Sequence, residues 1–567
     1  MSTSRQTDIV DLTESPVVKK RRHDHSRALL PFQLLRTRGI PTKFNDEQAG
    51  LGFCMETAVS GDIKLAFVSN YLIDPVFLVS TFPDLIFCDT VIVAHGMKQE
   101  SQHEMLRRAL TSALSGVDVS VVCPTVPEYG THHTKLFLLQ YEKGIRVIVH
   151  TANLVYCDFN NKSQSVFMQD FPLKALAAAD PSSPQSAPTP PNDFEEQLLT
   201  YVSHLGLPAD ASDKLKATIA LHDFSFARGR LACSVPSKPW GHRDVDYMAF
   251  GHHRVRQILE EEGAMEPLDS CFQNAPVVAQ SSSLGSISEK YVKELTSSFA
   301  PSIKPANDPK PGNRGSPELQ IVWPTVSDVR DSLEGWFGGG SVCGTSDRVF
   351  KAPVRSRLHR WSGEMAGRQR ALPHMKTFLR YSKVHDEIRL PWVLLTSANC
   401  SKAALGEAVT SRKYGAQLFR VLSFEMGVVL LPRLELAYRQ STWFGWSCVS
   451  GGGSGGGDAG GIVSPPDAVR FVQRSPRASA CSMDGNTLVI PIPLPFALPP
   501  RPYPASIDVP AADGKDYERT YESTPWYAHP WRGKDMLGWE YPGQGSYQGL
   551  VQRGTPENHW HDVFSRS

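Results

Sequence analysis

Short apolar runs recur along this chain, separated by polar stretches of a different period. KLAFVSNYLI, VIVAHG, VSVVCP, LQIVWP, WVLLTSAN and GVVLLP are runs in which aliphatic and β-branched residues are continuous or alternate, the pattern of buried strands. SQHEMLRRALTSAL, NDFEEQLLTYVSHL and SEKYVKELTSSF instead place apolar residues at helical spacing. The alternation of the two predicts α/β layers. From Thr131 to Leu154, THHTKLFLLQYEKGIRVIVHTANL reads as two strands joined by a tight turn at Glu142-Lys143-Gly144. Residues two apart on a strand share a face, so His133 and Lys135 point one way, and His132 and Thr134 the other. Closing the hairpin about residues 143 and 144 is expected to bring Asn153 beside Lys135, within a residue of register.

The same logic occurs a second time. In PHMKTFLRYSKVHDEIRLPWVLLTSANCSKAALG, His374 and Lys376 stand two apart before an apolar strand, a second strand follows, and Asn399 closes it. HTANL and TSANC match at their alanine and asparagine. A single His-x-Lys at a strand start is most often a solvated strand end. Two of them, each followed by a strand ending in Ala-Asn, point to a site to which each half of the chain gives one His, one Lys and one Asn. The doublet His252-His253 has no such Lys or Asn and reads as surface.

Composition bounds the rest. A chain of 567 residues exceeds one core, so two domains are expected. With 41% hydrophobic and 21% charged residues it reads as globular, and 59 Lys and Arg against 58 Asp and Glu leave attraction to nucleic acid to local patches. Ten cysteines without a CxxC pair argue for reduced thiols and against a zinc site. Neither a membrane-spanning run nor a signal-peptide apolar region is present in the sequence.

Residues 1–28 read as a disordered tail, in which Lys19-Lys20-Arg21-Arg22 resembles a nuclear-import run and Asp8–Thr13 a short strand for a partner's sheet edge. The segments 179–193, 302–318 and 451–461, rich in Pro, Ser or Gly, read as surface insertions. The remaining chain divides into expected domains at 29–250 and 251–545, with a tail at 546–567.

Two lysines and two asparagines around two histidines suit a phosphoryl group: their donors stabilise charge on the non-bridging oxygens. One imidazole can attack phosphorus while the other protonates the leaving oxygen, because an imidazole with a pKa of about 6.5 serves both tasks near neutrality. The patch has no cluster of acidic ligands, so no metal and no cofactor is expected there.

His133-x-Lys135…Asn153 and His374-x-Lys376…Asn399 resemble the paired HKN motifs of the phospholipase D superfamily. Most members carry an acidic residue five positions after the lysine, where this chain has Gln140 and Tyr381. That loss, with GTHHTK, TSANCSKAALG and SFEMGVVLLP, resembles the tyrosyl-DNA phosphodiesterase branch; PVVAQSSSLGSI, VWPTVSDVRDSLEGW and PFALPPRPY match further blocks. The resemblance, running from about residue 31 to about 542, implies two phospholipase D-like α/β/α sandwich domains related by a pseudo-twofold, with the active site at their interface.

It also implies a DNA-repair phosphodiesterase of the nucleus that releases topoisomerase I remnants from DNA 3′ ends, leaving a 3′ phosphate. The substrate would be DNA, single-stranded or a duplex end, carrying a 3′-linked tyrosine or topoisomerase I-derived peptide; no membrane partner is expected and the protein would be a monomer. His133 would be the nucleophile forming a phosphohistidine and His374 the acid and then the base. Lys135, Lys376, Asn153 and Asn399 would hold the phosphoryl oxygens. Gln164 and Glu425 match positions that hydrogen-bond the catalytic imidazoles, and Asp158 matches another polar residue near the site. Ser282, Ser283, Ser286, Ser401 and Lys402 match positions that contact DNA phosphates, and Tyr129 one where a base stacks. Trp526, Trp531 and Trp539 would close the peptide side of the cleft, Trp539 alone matching a substrate-contacting position. The basic stretch Arg355–Arg370 leads into His374 and is either a further DNA contact or a solvated helix. A related phosphodiesterase acting on lipid headgroups or on other 3′ blocking groups is the alternative reading.

Overall fold

In the computed structural model the described residues are 30–47, 50–175, 193–237, 249–265, 270–272, 274–301, 317–411, 416–440, 466–475, 480–504, 521–529 and 531–541. The tail 1–28 with its basic run and its short aliphatic stretch, nearly all of the three insertions, and the tail 546–567 lie outside them.

Two seven-stranded sheets dominate, and they share one topology. In spatial order the first runs Gln33–Leu34, Ser165–Pro172, Gly144–His150, Leu136–Tyr141, Leu65–Asn70, Thr90–His95, Asp118–Val122. The second runs Gly229–Ser234, Glu425–Leu430, Val393–Thr396, Lys376–Arg380, Val277–Gln280, Leu319–Trp323, Leu358–Arg360. In each sheet the last three strands are mutually parallel and the other neighbours antiparallel. Each sheet opens on a strand that sequence reading did not single out. Gly229–Ser234, which lies within the expected first domain, is the first strand of the second sheet. Only its pairing with Glu425–Leu430, far along the chain, reveals this.

The continuous apolar runs follow from burial on both faces. Leu136 and Leu138 point inward, to a core they share with Val278, Leu379, Leu395 and Met426 of the second sheet, while Phe137 and Leu139 face an outer core with Leu106 and Leu110 of the helix Glu100–Ala113. The second sheet likewise turns Phe378 and Leu394 outward onto Leu295 and Phe299 of the helix Glu289–Phe299. Two packed sheets with helices outside and shared core between them make an α/β architecture.

The two half-sites differ in their connections. A two-residue turn joins the first strand pair, whereas residues 381–392 enlarge the second turn and contribute Ser382–Val384 and Glu387–Leu390 to a separate five-stranded sheet. The basic stretch before His374 is neither a solvated helix nor free for DNA along its length. It contains the strand Leu358–Arg360, buries Trp361, and buries Arg368 completely. The Arg368 guanidinium donates to the Leu35 carbonyl at 2.9 Å, to the Leu51 carbonyl and to the Thr37 hydroxyl, joining the halves.

Candidate active site

The two His-x-Lys segments cross to the opposite half just before their strands begin. Phe424 N–H donates to the Thr131 carbonyl at 2.9 Å and His133 N–H to the Phe424 carbonyl at 2.9 Å. In the other half Ser163 N–H donates to the Leu372 carbonyl at 2.9 Å and His374 N–H to the Ser163 carbonyl at 3.1 Å. These contacts are equivalent, position for position, so each half pins the histidine segment of the other. Gly130 permits the first crossing: a Cβ there would lie 2.0 Å from the Leu422 carbonyl oxygen.

The alternation expected for the first segment holds, since His132 turns into the core against Ser69 Oγ at 2.9 Å while the Lys135 ammonium comes back to the His133 carbonyl at 2.9 Å. Lys376 repeats this bond to the His374 carbonyl. The hairpin register differs from expectation. Lys135 lies opposite His150, and Lys376 opposite Thr396, so each asparagine sits three residues past its strand partner and reaches the site through the chain beyond the strand. Asn153 is held there by Asp158, which accepts from its amide at 2.7 Å and its backbone N–H at 3.2 Å. Asn399 is held differently: its amide oxygen accepts from Ser282 N–H at 3.1 Å, so its NH2 group is not used in that bond.

The orienting residues stand at the starts of two strands, Glu425 as the first residue of Glu425–Leu430 and Gln164 immediately before Ser165–Pro172. Glu425 Oε2 lies 3.0 Å from His133 Nδ1 and accepts from the Ser397 hydroxyl. Gln164 Nε2 lies 3.0 Å from His374 Nδ1, and its Oε1 accepts from the Thr151 hydroxyl at 2.8 Å. Gln164 Nε2 also donates to the Asp158 backbone carbonyl at 3.1 Å, which only an NH2 group can do, so the amide orientation follows from its partners. The tautomers are therefore opposite. A carboxylate beside His133 holds the proton on Nδ1 and exposes a lone pair at Nε2; an amide donor beside His374 holds a lone pair on Nδ1 and puts the proton on Nε2. Thr151 and Ser397, each two residues before its asparagine, were not singled out by sequence. Neither was Tyr71, whose ring lies 5.5 Å from that of His133 and 5.9 Å from the Lys135 ammonium.

Electrostatically this is a site waiting for an anion. Burial pushes Lys135 down to about 8 and Lys376 well below the usual lysine range, with Lys135 also repelling Lys376. Burial, then the neighbouring lysine, likewise lowers both His133 and His374, partly opposed by Glu425 and Asp158 respectively. Asp158 keeps its charge despite burial because Lys162 bonds it, and His374 and Lys376 lie close. With each nearby carboxylate already held by a histidine or lysine, the donors left over favour phosphoryl oxygens over a metal cation.

Of the other expected residues, Ser282 joins the site through Asn399, and Gly285 in the same loop packs against Ser401. Ser283 is half-buried and Ser286 exposed in that loop. Ser401 caps the short helix Lys402–Leu405, accepting from Ala404 N–H at 3.2 Å. Lys402 pairs with Glu407 at 2.7 Å, so a DNA phosphate would have to compete for it. Tyr129 is 80% exposed, with a φ of 63°, on the loop leading to the crossing. Trp539 is 60% exposed on a loop that Asp535 anchors to Trp336 N–H. Trp526 and Trp531 do not line a cleft: both are buried and pack with Trp336, Tyr521 and Tyr527 inside the second half. His252, expected at the surface, is fully buried against the helix Glu289–Phe299.

Two halves of like topology, meeting at paired His-Lys-Asn sets, define a phosphodiesterase of phospholipase D-like fold. The model of the family "Tyrosyl-DNA phosphodiesterase" matches residues 31–504. The chain belongs to the tyrosyl-DNA phosphodiesterase family, and is a phosphodiesterase hydrolase of DNA repair. Tyrosyl-DNA phosphodiesterase 1 of Arabidopsis thaliana is 32% identical over 512 residues, covering 88% of this chain and 76% of that protein. A probable tyrosyl-DNA phosphodiesterase of Schizosaccharomyces pombe is 26% identical over 486 residues, covering 74% of this chain and 86% of the other. In structure the chain is similar to yeast tyrosyl-DNA phosphodiesterase, with a TM-score of 0.53 at 16% identity, covering 83% of this chain and 96% of that one.

Proposed function

We propose that this protein hydrolyses the 3′-phosphotyrosyl bond between DNA and a topoisomerase I remnant through a covalent phosphohistidine. His133 Nε2 attacks phosphorus; the bond to the tyrosine oxygen breaks as His374, which the anionic substrate and the Asp158 carboxylate 3.6 Å from its Nδ1 convert to the imidazolium, gives up its Nε2 proton and is left neutral. Water then attacks the phosphohistidine as His374 takes a proton from it, releasing His133 and a DNA 3′ phosphate. Lys135, Lys376, Asn153 and Asn399 stabilise the charge on the non-bridging oxygens in both steps. Tyrosine, with a pKa of about 10, is a leaving group that needs only modest help.

The observation that carries this reading is the opposite orientation of two otherwise equivalent histidines, a carboxylate on one and an amide donor on the other. We further propose that the Ser282 and Ser401 loops and Tyr129 bind the DNA strand, that Trp539 borders the peptide side, that the enzyme acts as a monomer, and that the Lys19–Arg22 run directs it to the nucleus.

An oligonucleotide ending in 3′ phosphotyrosine, offered alongside phosphatidylcholine, separates the proposal from its lipid alternative: tyrosine release without lipid hydrolysis is expected. A His374→Asn variant should accumulate protein covalently joined to the oligonucleotide, an SDS-resistant band that disappears when His133 is also replaced. A band formed with His133 replaced and His374 intact would exchange the two roles.

A further inference from the structure

Beneath the Ser401–Lys402 loop, outside the phosphoryl site, His252, His253 and Glu294 bring three potential ligand atoms within 4.8 Å of one another. His252 and His253 begin the helix Gly251–Met265, and Glu294 lies on the helix Glu289–Phe299 packed against it. We propose that this cluster is a binding site for a borderline divalent transition-metal ion such as zinc, held by two imidazoles and one carboxylate with solvent in the fourth position.

The surroundings are those of a built ligand set. His252 is fully buried, with Nδ1 2.8 Å from Ser298 Oγ and Nε2 3.2 Å from Glu294 Oε1. When an ion is bound, Nδ1–H donates to the Ser298 hydroxyl and the Nε2 lone pair goes to the ion, which replaces the hydrogen bond between Nε2 and Glu294; an outer hydrogen bond of this kind is how ligating histidines are held. The ring nitrogens of His253 have no hydrogen-bond partner among the described residues, and its ring lies 4.5 Å from that of His252. Ligand atoms around a tetrahedral zinc lie roughly 3.3 Å apart, given bonds of about 2.0–2.2 Å, so a modest rotation of the His253 ring closes the set.

The consequence is mechanical. Glu294 also accepts from Ala408 N–H at 2.6 Å, and Phe419 packs edge-on against both histidine rings at 5.0 and 4.3 Å. Ala408 and Phe419 belong to the paired strands Glu407–Ser411 and Ala416–Arg420, the first of which carries the Glu407 that holds Lys402. A bound ion therefore clamps two helices to the hairpin that steadies the loop after Asn399. It takes no part in the chemistry.

The test uses the full chain stripped with chelator and titrated with Co²⁺, an optical stand-in for zinc. One equivalent is expected to produce the visible absorption of a four-coordinate nitrogen–oxygen site, without a thiolate charge-transfer band. His253→Phe, which keeps the ring packed on Phe419, and Glu294→Gln, which keeps the acceptor for Ala408, should each abolish that absorption. Zinc should raise the melting temperature of the parent protein and leave both variants unchanged. No saturable cobalt absorption in the parent, a thiolate band, or absorption retained in both variants would overturn the proposal. Tyrosine release by the stripped protein is read separately, since it bears on the phosphodiesterase alone.

Discussion

Replacing Glu425 by Gln removes the carboxylate hydrogen-bonded to His133 Nδ1 and puts there the same residue type that contacts His374 Nδ1. In the other half Gln164 already shows what such a residue does: its carbonyl takes the Thr151 hydroxyl and its NH2 faces His374 Nδ1. Ser397 occupies the place of Thr151, so the introduced glutamine would settle the same way and put its NH2 against His133. His133 would then carry its proton on Nε2 and have no lone pair for phosphorus. Wrong-tautomer histidines cost about 10⁴ in rate, or about 5.5 kcal/mol. If the amide instead turned its carbonyl to His133, only the charge would be lost, about 1.5–3 kcal/mol or roughly 10- to 150-fold. Rapid-quench single turnover on a 3′-phosphotyrosyl oligonucleotide measures the first step directly. Tyrosine release should slow by a factor between those bounds, with no covalent adduct building up. Release at the parental rate, or an adduct that accumulates as in a His374 variant, would refute the assignment of tautomers.

Chelation should leave turnover intact, because the phosphoryl site relies on histidine, lysine and asparagine; loss of activity in EDTA restored by magnesium would contradict this, as read from tyrosine release. Folding should weaken as the pH falls, because burial lowers His132 and His150 to about 3 while their unfolded counterparts titrate at about 6.5. That stability is present above pH 6.5 and is lost as the pH falls from there toward 3, about 2 kcal/mol per imidazole between pH 7 and 5, measurable by urea unfolding at the two pH values. Arg368→Met should cost about 3 kcal/mol or more by stranding the carbonyls of Leu35 and Leu51, and a change under about 1 kcal/mol in the same assay would show that the inter-half bonds are dispensable.

The chemistry of the site was legible in the sequence because it is local. His-x-Lys at a strand start fixes which side chains share a face, a period set by backbone geometry alone, and the duplicate of that motif announced a second half-site. The apolar runs announced the α/β layers for the same reason. Contacts between distant segments carry no such mark. That Gly229–Ser234 opens the second sheet depends on pairing with residues 425–430, and a strand so short carries too little pattern to declare its partner. His252 looked like surface because its burial comes from Ser298 and Glu294 on another helix, while Trp526 and Trp531 looked like cleft residues though packing with Trp336 puts them in a core. The motifs are symmetric, so residue types at the two histidines leave nucleophile and acid interchangeable. Only the crossing of each histidine segment to the opposite half sets a carboxylate against one ring and an amide against the other, because a proton's place on an imidazole is decided by what touches its far nitrogen.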